Sequence, residues 1–211
     1  MRAHVRCPWV EAEVVCPPGE VLAVTGPNGA GKSVLLKALA GVIPSSTSVE
    51  LAGREVGQLP PYRRDVGWVP QQPSLLAHLD ARDNAAYALR ARGQRRSVAR
   101  DHAQAWLTRL GVGHLGSLRP HALSGGQVAR VALARALVHQ PALLLLDEAL
   151  AALDGATRDE VRLTLREALH GSATATLMVT HDPADVDVLA HRVLRLREGR
   201  AEAGADTTLD P

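Results

Sequence analysis

The chain is 211 residues long, with a formal net charge of +2, 46% hydrophobic residues, only 2% aromatics and no Phe. That length suits one domain with an inserted subdomain and a real core, built mainly from Val, Leu, Ile and Ala. With 22% charged residues long disorder is excluded, the mild net charge does not argue for nucleic acid, and no apolar run nears the roughly 20 residues of a membrane-spanning helix. No apolar signal-peptide stretch follows Met1-Arg2-Ala3-His4-Val5-Arg6, so the expectation is a soluble cytosolic chain. Cys7 and Cys16 flank a short turn, where a hairpin could set them face to face, and both are expected reduced and buried rather than bridged.

In chain order, Ala3–Cys7 and Glu11–Val15 read as short strands around Pro8-Trp9. Val21–Thr25 is a third strand, followed by a glycine-rich loop and a helix from Lys32 to Gly41. Strand, glycine loop and helix in succession are an α/β signature. Residues 49–56 read as a hairpin turning near Gly53, and Val66–Val69 as an apolar strand stopped by Pro70. Asp80 caps a helix reaching Arg92, Gly93 breaks it, and Ser97 caps a second helix ending at Leu110, which makes a helical insertion of residues 75–122. Ser124 opens a helix to His139, and Pro141 stops it. Ala142–Leu146 is an unbroken apolar run of the kind found in a fully buried parallel strand. Helix 155–170, strand 174–180, helix 183–190 and strand 192–197 complete the alternation. The expected organisation is one domain over residues 1–204 and a frayed tail over 205–211.

Gly26-Pro27-Asn28-Gly29-Ala30-Gly31-Lys32-Ser33 fits G-x-x-x-x-G-K-[ST] at every fixed position. Glycines let the backbone curl so that successive N–H groups point inward at phosphate oxygens, and the helix that starts here adds its positive end. Lys32 can neutralise the β- and γ-phosphates of a nucleotide, and the Ser33 hydroxyl can ligate magnesium. Adjacent carboxylates, Asp147 and Glu148, end the apolar run at Leu143–Leu146. Asp147 can hold magnesium through its water shell, while Glu148 is placed to orient or deprotonate an attacking water.

A phosphate loop alone does not separate kinases, GTPases and ATPases. Leu123-Ser124-Gly125-Gly126-Gln127, continuing through Val128-Ala129-Arg130-Val131-Ala132-Leu133-Ala134-Arg135-Ala136-Leu137, supplies a hydroxyl, two bare backbone N–H groups and a helix N-terminus, a second anion site. This stretch resembles the signature of ATP-binding cassette (ABC) ATPases, and the resemblance extends over essentially the whole chain. It implies an α/β P-loop NTPase fold, an ABC-type ATPase domain with an antiparallel β subdomain and an inserted α-helical subdomain. ATP and Mg2+ are the implied cofactors. His181, in Val179-Thr180-His181-Asp182, resembles the residue that contacts the γ-phosphate, and Gln71 the glutamine that reaches magnesium and the water, with its neighbour Gln72 as the comparison. Asp154 resembles the loop that crosses a dimer interface, and it also suits the cap of the next helix.

The resemblance further implies two copies, as a homodimer or with a paired cassette subunit, closing head to tail over two ATP molecules. Transmembrane permease subunits on separate chains and an extracytoplasmic solute-binding protein are the implied partners, with the chain peripheral on the inner face of the membrane and no nucleic acid. Leu75-Leu76-Ala77-His78-Leu79-Asp80-Ala81-Arg82-Asp83-Asn84 and the following Ala85–Leu89 resemble importers of molybdate and related oxyanions, iron and polyamines, and molybdate is the first choice. A soluble ABC ATPase outside transport, and an ATP-gated binding module with little turnover, are the alternatives.

Departures from the family pattern are local. Val34 stands where a threonine is usual, and Ala149 and Ala151 replace the usual proline and serine after the carboxylates. Trp9 lies near the turn that presents an adenine-stacking aromatic, and the stacking and non-stacking readings both stand. Relatives in the oxyanion branch commonly carry a C-terminal regulatory domain, and none is expected here. Arg90, Arg92, Arg95, Arg96 and Arg100 cluster at the turn of the insertion, to be read as a solvated face or as contacts to anionic lipid or nucleic acid; stacking aromatics are missing, which weighs against the last.

Overall fold

The computed structural model describes residues 1–202 and 207–208. Its strands are β1 (Arg2–Cys7), β2 (Val10–Val15), β3 (Val21–Thr25), β4 (Ser46–Leu51), β5 (Arg54–Glu55), β6 (Val66–Val69), β7 (Leu143–Asp147), β8 (Ala175–Val179), β9 (Arg192–Arg197), β10 (Arg200–Ala201) and β11 (Thr207–Thr208). Its helices are α1 (Lys32–Ala40), α2 (Ala81–Ala91), α3 (Arg96–Arg109), α4 (Gly125–Leu137), α5 (Gly155–Leu169) and α6 (Pro183–Leu189). The sheet runs β5-β4-β1-β2-β10-β9-β3-β8-β7-β6, with β11 on β9. Strands β9, β3, β8, β7 and β6 are parallel, whereas β1, β2, β4 and β5 form antiparallel pairs.

The central parallel strands β3, β8 and β7 are buried on both faces, whereas β9 alternates buried with exposed residues toward its end. Every residue of β7 is buried, and the leucines alternate between two cores: Leu144 and Leu146 pack with the helical insertion and α4, Leu143 and Leu145 with α1 and the antiparallel strands. Helices on both faces exclude water from these strands, so no polar alternation is needed. Ala81, Ala85 and Leu107 of the insertion belong to the same core as Leu144 and Val131, so the insertion packs as part of the domain.

Several expectations are corrected. The second insertion helix begins at Arg96, one residue before Ser97, and its N-cap Arg95 makes no side-chain cap bond. Its start is fixed instead by ion pairs from Arg96 and Arg100 to Asp83 and from Arg100 to Asp80. Arg92 pairs with Asp65, so three members of the arginine cluster are engaged within the domain. Cys7 pairs with Val10 beside the turn, while the Cys16 N–H bonds the Met1 carbonyl at the far end of the hairpin, so the two thiols do not face each other. Burial pushes the Cys16 thiol pKa up, which keeps it protonated and unreactive. The hairpin at Gly53 is present, with Ala52 and Gly53 both at positive φ, as a two-residue turn between twisted strands requires. Of the tail expected to fray, Thr207–Thr208 pairs antiparallel with β9, and the rest lies outside the described residues.

Candidate functional site

The register of the parallel strands assembles the site. Val24 of β3 and Asp147 of β7 both lie opposite Val179 of β8, and Leu146 lies opposite Val69 of β6. The segments that leave these strands, Gly26–Lys32, Glu148, Thr180–His181 and Gln71, therefore emerge along one edge of the sheet. That edge, beyond the carboxyl ends of parallel strands, is where open α/β sheets bind ligands.

The phosphate loop is held by close packing. Gly26 has φ 144°, and a Cβ there would lie 2.1 Å from the Leu196 carbonyl oxygen; a Cβ on Gly31, at φ 95°, would lie 2.5 Å from Val10 Cγ2. Gly31 also serves as N-cap of α1 without a side-chain cap bond, which leaves the first N–H groups of this helix for an anion. Lys32 is buried and its ammonium donates to the Gly26 and Pro27 carbonyls at 2.8 and 3.0 Å, over the concave side of the loop. A cavity of about 470 Å³ opens here, lined by Trp9, Asn28 to Val34, Gln71, Glu148 and His181.

Within that cavity Glu148 is the meeting point. Its backbone adopts φ 50°, an uncommon value for a residue with a side chain, and its N–H donates to the Val179 carbonyl at 2.9 Å. The carboxylate accepts from Gln71 Nε2 at 2.9 Å through one oxygen and lies 3.3 Å from His181 Nε2 through the other. Gln72, the comparison residue, is exposed. Asp147 is buried, and its carboxylate accepts from Ser33 Oγ at 3.0 Å. Burial raises its pKa, with Glu148 adding to the rise and Ser33, Lys37 and Lys32 opposing it. A buried carboxylate held next to a hydroxyl, with its ionised form penalised, is a donor set that fits a hard, oxygen-seeking cation. Among the described residues no group of three His, Cys, Asp or Glu is placed to hold a metal ion.

The signature residues stand apart from this cavity. Ser124 is the N-cap of α4, where its Oγ accepts from the Gln127 N–H and the Gln127 side chain accepts from the Ser124 N–H in a capping box. A Cβ on Gly125 would meet nothing within 4 Å, whereas one on Gly126 would lie 3.3 Å from the Ala152 carbonyl oxygen. Asp154 caps α5 by accepting from the Thr157 N–H at 3.1 Å. These residues thus share the surface between α4 and the loop 150–154 and do not line the phosphate-loop cavity. Trp9 does line it and is 64% exposed.

Sequence reasoning missed a polar cluster behind His181, in which Arg158 and Arg162 of α5 contact Asp182 and Arg162 also contacts Asp185. The signal was present as two arginines one helical turn apart, but their partners come from a different segment.

Fold and site together define a P-loop nucleotide-binding domain with an antiparallel strand layer and a helical insertion. Over the whole chain the fold superimposes on the ABC transporter cassette MJ0796 with a TM-score of 0.86 at 24% identity, covering 97% of that chain. A post-hydrolysis dimer of the same cassette, bound to ADP and Pi, gives the same TM-score at 23% identity. Residues 11–151 match the family described as ABC transporter, and the chain belongs to that family as an ABC-type ATPase domain. It is 39% identical over 191 residues to the sulfate/thiosulfate import ATP-binding protein CysA of Mycobacterium tuberculosis, covering 90% of this chain and 54% of the relative. It is likewise 39% identical to the Fe(3+) ions import ATP-binding protein FbpC of Agrobacterium fabrum, covering 91% and 55% of the two chains. With the spermidine/putrescine import ATP-binding protein PotA of Frankia alni it shares 41% identity, covering 88% and 40%. The chain spans about half the length, or less, of these curated relatives. None of the three carries molybdate in its name, so the first-choice substrate gains no support from them.

Proposed function

We propose that this chain binds and hydrolyses ATP as the nucleotide-binding subunit of an importer. The observation that carries the reading is Glu148, bracketed by Gln71 and His181 in the cavity that the phosphate loop also lines. The α- and β-phosphates sit on the N–H groups of Gly29 to Ser33, and Lys32 leaves the Gly26 and Pro27 carbonyls to meet the β- and γ-phosphates. Ser33 and Asp147, with Gln71 nearby, would hold Mg2+, which when bound neutralises charge on the phosphate oxygens. Glu148 orients the attacking water and takes its proton, while His181 donates to the γ-phosphate and fixes the Glu148 carboxylate. Trp9, exposed at the rim of the same cavity, stacks on the adenine.

Ser124, Gly125, Gly126 and Gln127 complete the site of a second copy or a paired cassette, so each ATP is gripped from two sides, with Asp154 at the joint. Among the described residues no helix is long and apolar enough to cross a membrane. In this reading, which rests on the family resemblance, passage of solute falls to permease subunits on other chains, to which Gln71 and residues 75–110 transmit closure, and this chain sits peripherally on the cytoplasmic face. An extracytoplasmic solute-binding protein delivers the solute. Support for import comes from the names of the relatives, which cover sulfate or thiosulfate, iron and polyamines. An oxyanion, molybdate included, is the substrate class we carry forward, on the resemblance of residues 75–89 and the sulfate/thiosulfate relative.

Phosphate release from Mg-ATP by the purified chain tests the reading. We expect turnover by the parent and its loss in Glu148→Gln with ATP still bound. A Glu148→Gln variant as fast as the parent would overturn the base assignment.

A further inference from the structure

Behind His181 lies a cluster of charged groups with no part in the phosphate site. Arg158 and Arg162 are one turn apart on the same face of α5. Arg158 donates to the Leu153 carbonyl at 2.7 Å and to Asp182 Oδ2 at 3.2 Å. Arg162, whose side chain is 6% exposed, donates to the same Asp182 oxygen at 3.1 Å, to Asp185 Oδ1 at 2.8 Å and to Asp159 at 2.5 Å. The other Asp185 oxygen accepts from Thr180 Oγ1 at 2.6 Å, and Thr180 Oγ1 accepts from the Asp182 N–H at 3.1 Å. His181 is thus pinned on both sides, by the residue before it and the residue after it.

The same cluster reaches the other partner of the pair. Leu153 belongs to the loop that leads from Glu148 into α5, and Arg158 holds it by its carbonyl. Arg158, Thr180, Asp182 and Asp185 also form a wall of a cavity of about 390 Å³ whose other lining includes Glu148 and His181. Buried ion pairs are weak contributors to net stability, because desolvation offsets their attraction, but they fix geometry by direction and charge. Nothing in the α5–α6 packing needs charge for burial alone, since Val161, Leu165 and Leu189 already supply apolar contact.

We propose that Arg162, with Arg158 and Thr180, is a positioning residue that sets His181 against Glu148. The cluster locks the loop after β7 and the loop after β8 into one unit, so that the 3.3 Å approach of His181 to Glu148 survives nucleotide binding and release. This rests on the catalytic reading of Glu148 and His181 given above.

The test is steady-state Mg-ATP hydrolysis by the full chain, with nucleotide affinity from a fluorescent ATP analogue, for Arg162→Lys, Thr180→Val, His181→Ala and the two double variants with His181→Ala. Thr180→Val keeps the side-chain shape and puts a methyl in place of the hydroxyl that links Asp185 and the Asp182 N–H, a second route to the same cluster should Arg162→Lys misfold. Expected are a 10- to 100-fold fall in kcat for both single variants, nucleotide affinity within about twofold of the parent, and no further loss once His181 is already Ala, because groups acting through one another are not additive. Parental kcat in folded Thr180→Val and Arg162→Lys, or losses that multiply with that of His181→Ala, would overturn the positioning role while leaving the catalytic reading intact. A parent without turnover, or a His181→Ala variant at the parental rate, overturns the catalytic reading itself and this inference with it.

Discussion

Glu148 and His181 face each other at 3.3 Å across the edge of the sheet, one from the loop after β7 and the other from the loop after β8. The two strands are parallel neighbours in register, Asp147 opposite Val179, so residues just past their ends are brought together by the backbone before any side chain is considered. The left-handed turn at Glu148 then sends its carboxylate toward His181 and Gln71. From this geometry and from the packing around it, four outcomes follow.

Replacing Glu148 by Gln keeps shape and burial but removes the base. Turnover is expected to fall by roughly 10²–10⁴, the range for a positioned general base, with ATP affinity unchanged. Single-turnover phosphate release and equilibrium nucleotide binding separate the two quantities.

The glycines of the loop before α1 and of the start of α4 differ in what they are needed for. Gly26→Ala places a Cβ 2.1 Å from the Leu196 carbonyl at φ 144°, so stability drops by at least the roughly 1–3 kcal/mol of a strained backbone and ATP binding falls with it. Gly125→Ala meets nothing within 4 Å at the first turn of α4, and urea unfolding is expected to leave its stability at or slightly above that of the parent. Its turnover should nevertheless fall if the proposed pairing holds, in which the phosphate bound by a second copy packs on this bare backbone. Parental turnover in Gly125→Ala would remove this segment from the site.

Leu145 is completely buried in the centre of β7, in the core that α1 shares. Leu145→Ala is expected to cost about 2–5 kcal/mol, the range for large-to-small changes in a packed core. Thermal and urea unfolding should both report it.

His139 has its pKa lowered from 6.5 to about 4, first by burial and then by the nearby Arg92. A depressed folded value means that the unfolded chain binds the proton more readily. Its contribution to stability is therefore complete above pH 6.5 and is lost as the pH falls toward 4, by at most about 1.4 kcal/mol per pH unit. His139→Gln should flatten the decline in urea stability between pH 7 and 5 relative to the parent. An unchanged slope would show that His139 is accessible to protons in the fold.

The phosphate loop, the signature and the carboxylate pair were legible because each is a run of neighbouring residues whose chemistry depends on local backbone conformation. The same holds for the Asp80, Ser124 and Asp154 caps, where a side chain bonds an N–H three residues ahead. Ser97 failed as a cap because ion pairs from Arg96 and Arg100 to Asp83, thirteen and more residues away, fix the start of α3. Cys7 and Cys16 are not opposed, because register, not proximity to a turn, decides which residues of a hairpin face each other.

By itself, then, the sequence determined where a glycine loop runs into a helix, where the strands are buried and which acids stand at a strand end, since these follow from periodicity and from contacts within a few residues. The order of the strands, the meeting of Gln71, Glu148 and His181, and the arginine cluster of α5 against Asp182 and Asp185 were decided only by the tertiary structure. Those relationships join segments far apart along the chain, and it is the burial of β7 between two cores that draws them together.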